Sequence, residues 1–214
     1  MSDKYVLICM PIHRHPELKS VECLLETIRY SKCRIAYHWQ SGDALLSRAR
    51  NKVGESFLKE KEFDYLMWID DDITWNSQDG IIDLLISRKK DIIGGAYPEK
   101  SDCSTPTIRT LYIQKLIDIK KYKNQKIKVP KNKLFEVEYV GTGFMLISRQ
   151  CIENVYVKFP FPFQPIFPKG EYLDEGWSFC HRAKSLGYKI WADTTFELGR
   201  SGTTTYKLKK SSYE

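Results

Sequence analysis

Five apolar residues, Tyr65-Leu66-Met67-Trp68-Ile69, run directly into three consecutive carboxylates, Asp70-Asp71-Asp72. A run this short is a strand rather than a helix, and its unbroken apolar character suits a strand covered on both faces. Three adjacent carboxylates raise one another's proton affinity unless a cation offsets them. The triplet is therefore either a polar turn that stops the strand or a seat for a cation. All-oxygen ligands favour Mg2+ or Mn2+, ions that typically hold a substrate diphosphate with few protein groups. The expectation is a site for a nucleoside diphosphate.

A chain of 214 residues with 42% hydrophobic and 13% aromatic residues has enough material for one good core. Lys and Arg exceed Asp and Glu by 34 to 27, a formal charge of +7 that suits anionic ligands of many kinds. Much of that excess sits in the segment 115–133 and in the tail 207–210. Neither has the interleaved aromatic and basic residues of a single-strand binder, so both read as solvated stretches and no nucleic-acid partner is expected. The six cysteines, Cys9, Cys23, Cys33, Cys103, Cys151 and Cys180, show no CxxC pair and no zinc spacing. That scatter predicts free thiols in a reducing, cytoplasmic setting. Residues 1–4 lead straight into a strand and no apolar run approaches ~18 residues, so neither a signal peptide nor a transmembrane segment is expected.

Along the chain, residues 5–10 predict a first buried strand ending at Pro11-Ile12-His13-Arg14-His15. Ligand-binding loops of open α/β sheets sit at such carboxyl ends, which makes His13 and His15 candidate metal ligands or nucleotide contacts, although exposed loop histidines without a role are commoner. A helix over 17–30, with Leu18, Val21, Leu24, Leu25 and Ile28 at helical spacing, and a strand over 33–39 follow. Ser41-Gly42-Asp43 opens a second helix whose polar side carries Arg48, Arg50 and Asn51. The forked arginine side chain matches diphosphate oxygens, although an ordinary charged helix face has the same appearance. A third helix is predicted over 76–90, then a short strand that turns into Gly94-Gly95, where a ligand or a bulge is equally accommodated. Residues 107–119 read as strands of a β insertion and 120–133 as a lysine-rich connection. Strand character returns over 134–147 around Gly141-Thr142-Gly143, again a place for close passage. The Phe- and Pro-rich stretch 157–168 reads as a loop suited to a lid. Asp174-Glu175-Gly176-Trp177 precedes a helix over 178–186, and its two acids either favour the helix dipole or present a general base. A strand over 188–192 and the glycine-flanked, anion-suited segment 197–203 complete the order.

Taken together, Asp70-Asp71-Asp72, Arg48-Ala49-Arg50-Asn51, Gly94-Gly95, Gly141-Thr142-Gly143-Phe144 and Leu173-Asp174-Glu175 resemble the GT-A class of nucleotide-sugar glycosyltransferases. Within that class the resemblance is to the N-terminal glycosyltransferase domains of chlorella-virus capsid-glycosylation enzymes. It implies a single Rossmann-like α/β/α sandwich around a mixed, mostly parallel sheet. Residues 1–206 would form the domain, with a nucleotide-binding half at about 1–100 and an acceptor-binding half at about 101–206; residues 207–214 would be a tail or the start of a linker into a longer chain. It further implies transfer of a hexose or deoxyhexose from a UDP-sugar to a glycan or glycoprotein hydroxyl, with Mn2+ or Mg2+ held at Asp70 and Asp72. Donor contacts would fall on Pro11, His13, Arg14, Arg48, Asn51, Asp70, Asp71, Gly94, Gly95 and Arg200. Acceptor contacts would fall on Gly141, Thr142, Gly143 and Trp177, and Asp174 with Glu175 would supply the catalytic base. One departure stands out: where many members of the class place a metal-binding histidine, this chain has Arg200. Arginine does not ligate cations, so either fewer protein groups hold the metal or Arg200 binds the diphosphate itself. A sugar-1-phosphate nucleotidyltransferase is the rival enzyme reading, and a glycine-rich basic loop after the first strand, which such enzymes need, is absent from residues 11–16.

Overall fold

A computed structural model describes residues 4–12, 14–99, 107–110, 129–202 and 206–207. His13, Cys103, much of the lysine-rich connection and most of the tail lie outside the described residues. In chain order the elements are β1 (Tyr5–Pro11), α1 (Leu18–Tyr30), β2 (Arg34–Gln40), α2 (Leu46–Lys59), β3 (Tyr65–Ile69), β4 (Ile73–Trp75), α3 (Ile81–Ser87) and β5 (Ile92–Gly95). They continue with β6 (Ile108–Thr110), β7 (Leu134–Val140), β8 (Phe144–Ser148), α4 (Arg149–Lys158), α5 (Glu175–Ser185), β9 (Ile190–Asp193), β10 (Leu198–Arg200) and β11 (Tyr206–Lys207).

An eight-stranded sheet in the order β2-β1-β3-β8-β5-β9-β7-β6 carries the fold. Its first three strands are parallel, and β8 and β7 run against the rest, so the sheet is mixed but mostly of one direction, as expected. Alternation along the strands divides the core in two. Leu66 and Trp68 of β3 and Met145 and Ile147 of β8 face the layer formed by α2, α4 and α5. Met67, Ile69, Phe144 and Leu146 face α1 and α3 on the other side. Both faces of β3 are buried because each has its own helix layer, which is why the strand tolerates no polar residue before Asp70. Among the described residues no helix is long and apolar enough to cross a membrane, and Cys9, Cys23, Cys33, Cys151 and Cys180 are free, buried thiols.

Several elements depart from the sequence expectation, each for a local reason. On α1 the buried face is Ser20, Cys23, Leu24 and Thr27, while Leu18 and Leu25 are exposed. The polar groups go inside because β4 presents bonding partners there. Ser20 Oγ donates to the Ile73 carbonyl at 2.6 Å, Cys23 Sγ to the Trp75 carbonyl at 3.2 Å, and Trp75 Nε1 to Thr27 Oγ1 at 2.8 Å. The helix expected over 76–90 is broken by Gly80 in the left-handed region (φ 58°), which leaves a 3-10 turn at Ser77–Asp79 and the short α3. Helix α2 begins at Leu46, not at Ser41, because Asp43 folds its carboxylate back onto the Leu45 N–H at 3.0 Å. The stretch 134–147 is two strands that are not neighbours. β8 lies between β3 and β5, whereas β7 lies beyond β9.

Candidate active site

Asp70 follows β3 at its carboxyl end, beside the end of parallel β1, and its N–H donates to the Gly143 carbonyl at 3.0 Å. A cavity of about 380 Å³ opens there, bounded by Pro11 and Ile12 at the end of β1, Gln40 at the end of β2, Asp43, Ala44, Leu46 and Ala49 at the head of α2, the three aspartates and Arg200. Pro11, Asp70, Asp71, Asp72 and Arg200 thus share one cavity, at the strand ends where open α/β sheets bind ligands.

A second, small sheet delivers Arg200. β10 pairs antiparallel with β4, setting Arg200 opposite Ile73, and the Ser201 N–H donates to the Asp72 carbonyl at 2.7 Å. The guanidinium then lies on the carboxylates. Nε donates to both Asp72 oxygens at 3.1 and 3.0 Å, Nη2 to Asp70 Oδ2 at 3.4 Å, and Nη1 to the Pro98 carbonyl at 3.3 Å.

Arg50 comes from the opposite side and is fully buried. Its Nη2 donates to Asp70 Oδ1 at 2.7 Å, its Nε is 3.7 Å from Glu175 Oε1, and its guanidinium stands 4.9 Å from the Trp68 ring centre. Burial works against its charge, and the neighbouring Asp70 and Glu175 carboxylates more than offset that, so its pKa lies above the ordinary arginine value. Among the described residues Nε and Nη1 have no hydrogen-bond partner. The expectation that Arg50 lies on the polar side of α2 is corrected here. Its signal in the sequence is position: Ala49, Arg50, Val53 and Phe57 recur at helical spacing, and a charge on that stripe is forced inside.

Glu175 opens α5, and burial pushes its carboxyl above the ordinary glutamate value of 4.5, with Arg50 partly opposing. Asp174 is the cap of that helix, its Oδ1 accepting from the Trp177 N–H at 2.8 Å. Trp177 stacks on Tyr139, centroids 5.2 Å apart. Gly176 passes so close to buried Thr142 that a Cβ would stand 2.9 Å from its Oγ1. Gly141 and Gly143 leave room for the buried Tyr97, whose hydroxyl oxygen accepts from the Gly143 N–H at 2.8 Å. Burial raises the Tyr97 pKa far above the usual phenol value.

Other expected residues sit elsewhere. Arg48 turns to solvent and holds Asp43 through Nε at 2.9 and 2.8 Å. Asn51 is buried and its Oδ1 accepts from the Phe163 N–H at 3.0 Å, which anchors the aromatic loop instead of facing the cavity. Packing requires glycine at Gly94 and Gly95. A Cβ on Gly94 would strike the Phe144 carbonyl oxygen and Val140, and one on Gly95 would strike Leu198 and Phe196. Arg14 is exposed on the loop after β1 and does not line the cavity.

The donor set as arranged does not fit a resident divalent ion. Both oxygens of Asp72 and both of Asp70 are engaged by guanidinium groups, and among the described residues no group of three His, Cys, Asp or Glu is placed to hold a cation. A divalent ion ~4 Å from a guanidinium meets a repulsion of about 8 kcal/mol at an effective dielectric near 20.

No protein-family model and no curated protein matches the sequence. Solved structures do match. The crystal structure of A197 from STIV is 17% identical with a TM-score of 0.68, over 96% of this chain and 94% of that one. The structure of GalNAc-T7 with UDP, GalNAc and Mn2+ is 10% identical with a TM-score of 0.58, over the whole of this chain, which spans 45% of the GalNAc-T7 chain. A glycosyltransferase involved in glycosylation of the major capsid of PBCV-1 matches over 71% of this chain and 65% of its own at 12% identity and a TM-score of 0.39, too distant to carry an argument. At such identities the likeness is one of fold, and the fold is the GT-A-like α/β sandwich that the sequence pointed to.

Proposed function

We propose that this chain is a glycosyltransferase that moves a hexose or deoxyhexose from a UDP-sugar to a hydroxyl of a glycan acceptor. The observation that carries this reading is the placement of three carboxylates and two arginines at the carboxyl end of β3, beside an open cavity of about 380 Å³. The size suits a small ligand. The shared fold with GalNAc-T7, a protein solved with UDP and GalNAc, supports the donor class.

In this reading the base lies between Pro11–Ile12 and the head of α2, and the diphosphate lies against Arg200. Departure of the diphosphate leaves an oxocarbenium-like sugar and a growing negative charge, and a fixed cation beside that charge is the largest contribution a protein can make. Mn2+ or Mg2+ held by Asp70 and Asp72 would supply it in the resemblance; here the arginines already occupy those carboxylates. Glu175 takes the acceptor proton, since its raised pKa brings a carboxylate closer to the working range of a base. Asp174 holds the helix that presents Glu175, and of the expected acceptor contacts half-buried Trp177 meets the acceptor, since Gly141, Thr142 and Gly143 are buried.

The test is a panel of nucleotide sugars followed for release of nucleoside diphosphate, with the Glu175→Gln chain as comparison. Hydrolysis or transfer from one UDP-sugar, lost in Glu175→Gln, is the expected result. Nucleoside triphosphate consumption with a sugar 1-phosphate would replace this reading by the nucleotidyltransferase one.

A further inference from the structure

Resting on the donor reading above, we propose that Arg200 stands in the place of the divalent cation and that the nucleotide diphosphate binds at this site without metal. The guanidinium does geometrically what an ion would do. It gathers Asp72 through Nε and Asp70 through Nη2, from a backbone position fixed by the β4–β10 register and by the Ser201 N–H to Asp72 carbonyl bond. It is held from behind by the Pro98 carbonyl and lies 5.3 Å from the Tyr97 ring centre, so it is not a swinging surface side chain.

Two features make it a phosphate site and not a sealed ion pair. Arg200 lines the cavity, and a guanidinium has five N–H donors, of which Nη1 and Nη2 each keep a second one beyond the bonds just named. Those donors form the fork that matches two phosphate oxygens at once. Of the three carboxylates, Asp72 is paired with Arg200, and Asp70 with Arg200 and with the buried Arg50 at 2.7 Å, so an anion meets less repulsion than three bare charges would give. A histidine at position 200 would offer a lone pair to a metal; an arginine offers only donors and a permanent charge, so the same strand serves an anion directly.

The experiment titrates UDP and inorganic pyrophosphate into the whole chain by calorimetry, in chelator and again with Mn2+, and titrates Mn2+ alone with detection by electron paramagnetic resonance. For the unaltered chain the expected UDP affinity in chelator is within about two-fold of that with Mn2+, and no Mn2+ binds the ligand-free protein. Arg200→His frees Asp70 and Asp72 and supplies an imidazole, so it is expected to bind Mn2+ and to need it for UDP. Arg200→Lys keeps the charge and guards against a folding artefact: its UDP binding stays insensitive to chelator, though weaker by up to about tenfold. UDP binding by the unaltered chain that falls tenfold or more in chelator, or Mn2+ binding to the ligand-free chain, overturns the proposal and leaves the donor reading intact. Failure of UDP and every UDP-sugar to bind under either condition overturns both.

Discussion

Arg200 Nε lies 3.1 and 3.0 Å from the two carboxylate oxygens of Asp72, a pair formed across 128 residues of chain. The side chains are 12% and 6% exposed, so water does little to replace a lost partner. Removing Arg200 takes from Asp72 the guanidinium that bonds both its oxygens and from Asp70 one of its two arginines. Arg200→Ala is expected to lower the unfolding free energy by about 3 kcal/mol, the cost of stranding a buried charge. The double change Arg200→Ala with Asp72→Ala should lose less than the two single changes together, with a coupling of about 1–3 kcal/mol in urea denaturation. Additive losses would show that the pair contributes nothing beyond its separate side chains.

The buried end of the network is more sensitive. Arg50 has no exposed surface and balances Asp70 and, more distantly, Glu175. Arg50→Ala takes from Glu175 and Asp70 the guanidinium they share beside Trp68, leaving Asp70 to Arg200 at 3.4 Å, and is expected to cost about 3–5 kcal/mol of stability. Arg48, two residues earlier, provides the contrast: it is exposed, and the Asp43 carboxylate it holds keeps Lys52 and the Leu45 N–H, so Arg48→Ala should move the denaturation midpoint little. Equal effects for the two arginines would contradict the burial difference between them.

Much of this arrangement is written in residue order, and the remainder depends on contacts that order does not encode. The strand 65–69 and its carboxylate end are legible because five apolar residues followed by three acids permit few other structures. Helix α4 is hard to see in the sequence although Ser148 caps it, accepting from the Cys151 N–H at 3.2 Å, and Cys151, Ile152 and Val155 face the core. That face is only one short stripe, masked by the apolar strand before it and the aromatic loop after it. Arg50 falls on the wrong side of α2 whenever its charge is weighed above its position on the stripe. Gly94 and Gly95 look like ligand-approach glycines in sequence, and only the arrival of Phe144, Val140 and Leu198 from distant segments shows that packing demands them. The β4–β10 pairing, which fixes Arg200, joins residues more than a hundred positions apart and leaves no local trace.

Glu175 carries the pH prediction. Its folded-state pKa is raised by burial, with Arg50 partly opposing, so the ionised base is lost at a pH above the ordinary glutamate value of 4.5. The acidic limb of kcat/KM is expected there, and Glu175→Gln should abolish that limb while lowering transfer by about 10²–10⁴. A raised folded pKa means that this group's contribution to stability is complete below its unfolded value and is lost as pH rises through the folded one. Glutamine never ionises, so Glu175→Gln should melt at the same temperature as the unaltered chain or higher at neutral pH. A clear drop in melting temperature would instead make Glu175 chiefly the structural counter-ion of Arg50.

Gly143 joins the carboxylate end of β3 to the start of β8, and no other residue type fits there. A Cβ at this position would meet the Tyr97 ring at 2.6 Å and Asp70 Oδ2 at 2.8 Å. Tyr97 is buried and its hydroxyl already accepts the Gly143 N–H, so it has little room to retreat. The accessible relief is rotation of Asp70 away from Arg50 and Arg200. Gly143→Ala is therefore expected to cost about 1–3 kcal/mol in stability, as overpacking of a filled site does. It should also weaken UDP binding, because the charge network is displaced. Gly187→Ala separates strain from function: Gly187 sits at φ +89° with nothing within 4 Å of an added methyl, so that change should cost about 1 kcal/mol through backbone strain. Being remote from the cavity, it should leave UDP affinity unaltered. Calorimetric titration of both variants with UDP distinguishes the two cases, and equal UDP affinity in Gly143→Ala and the unaltered chain would show that Asp70 tolerates displacement without consequence for the donor.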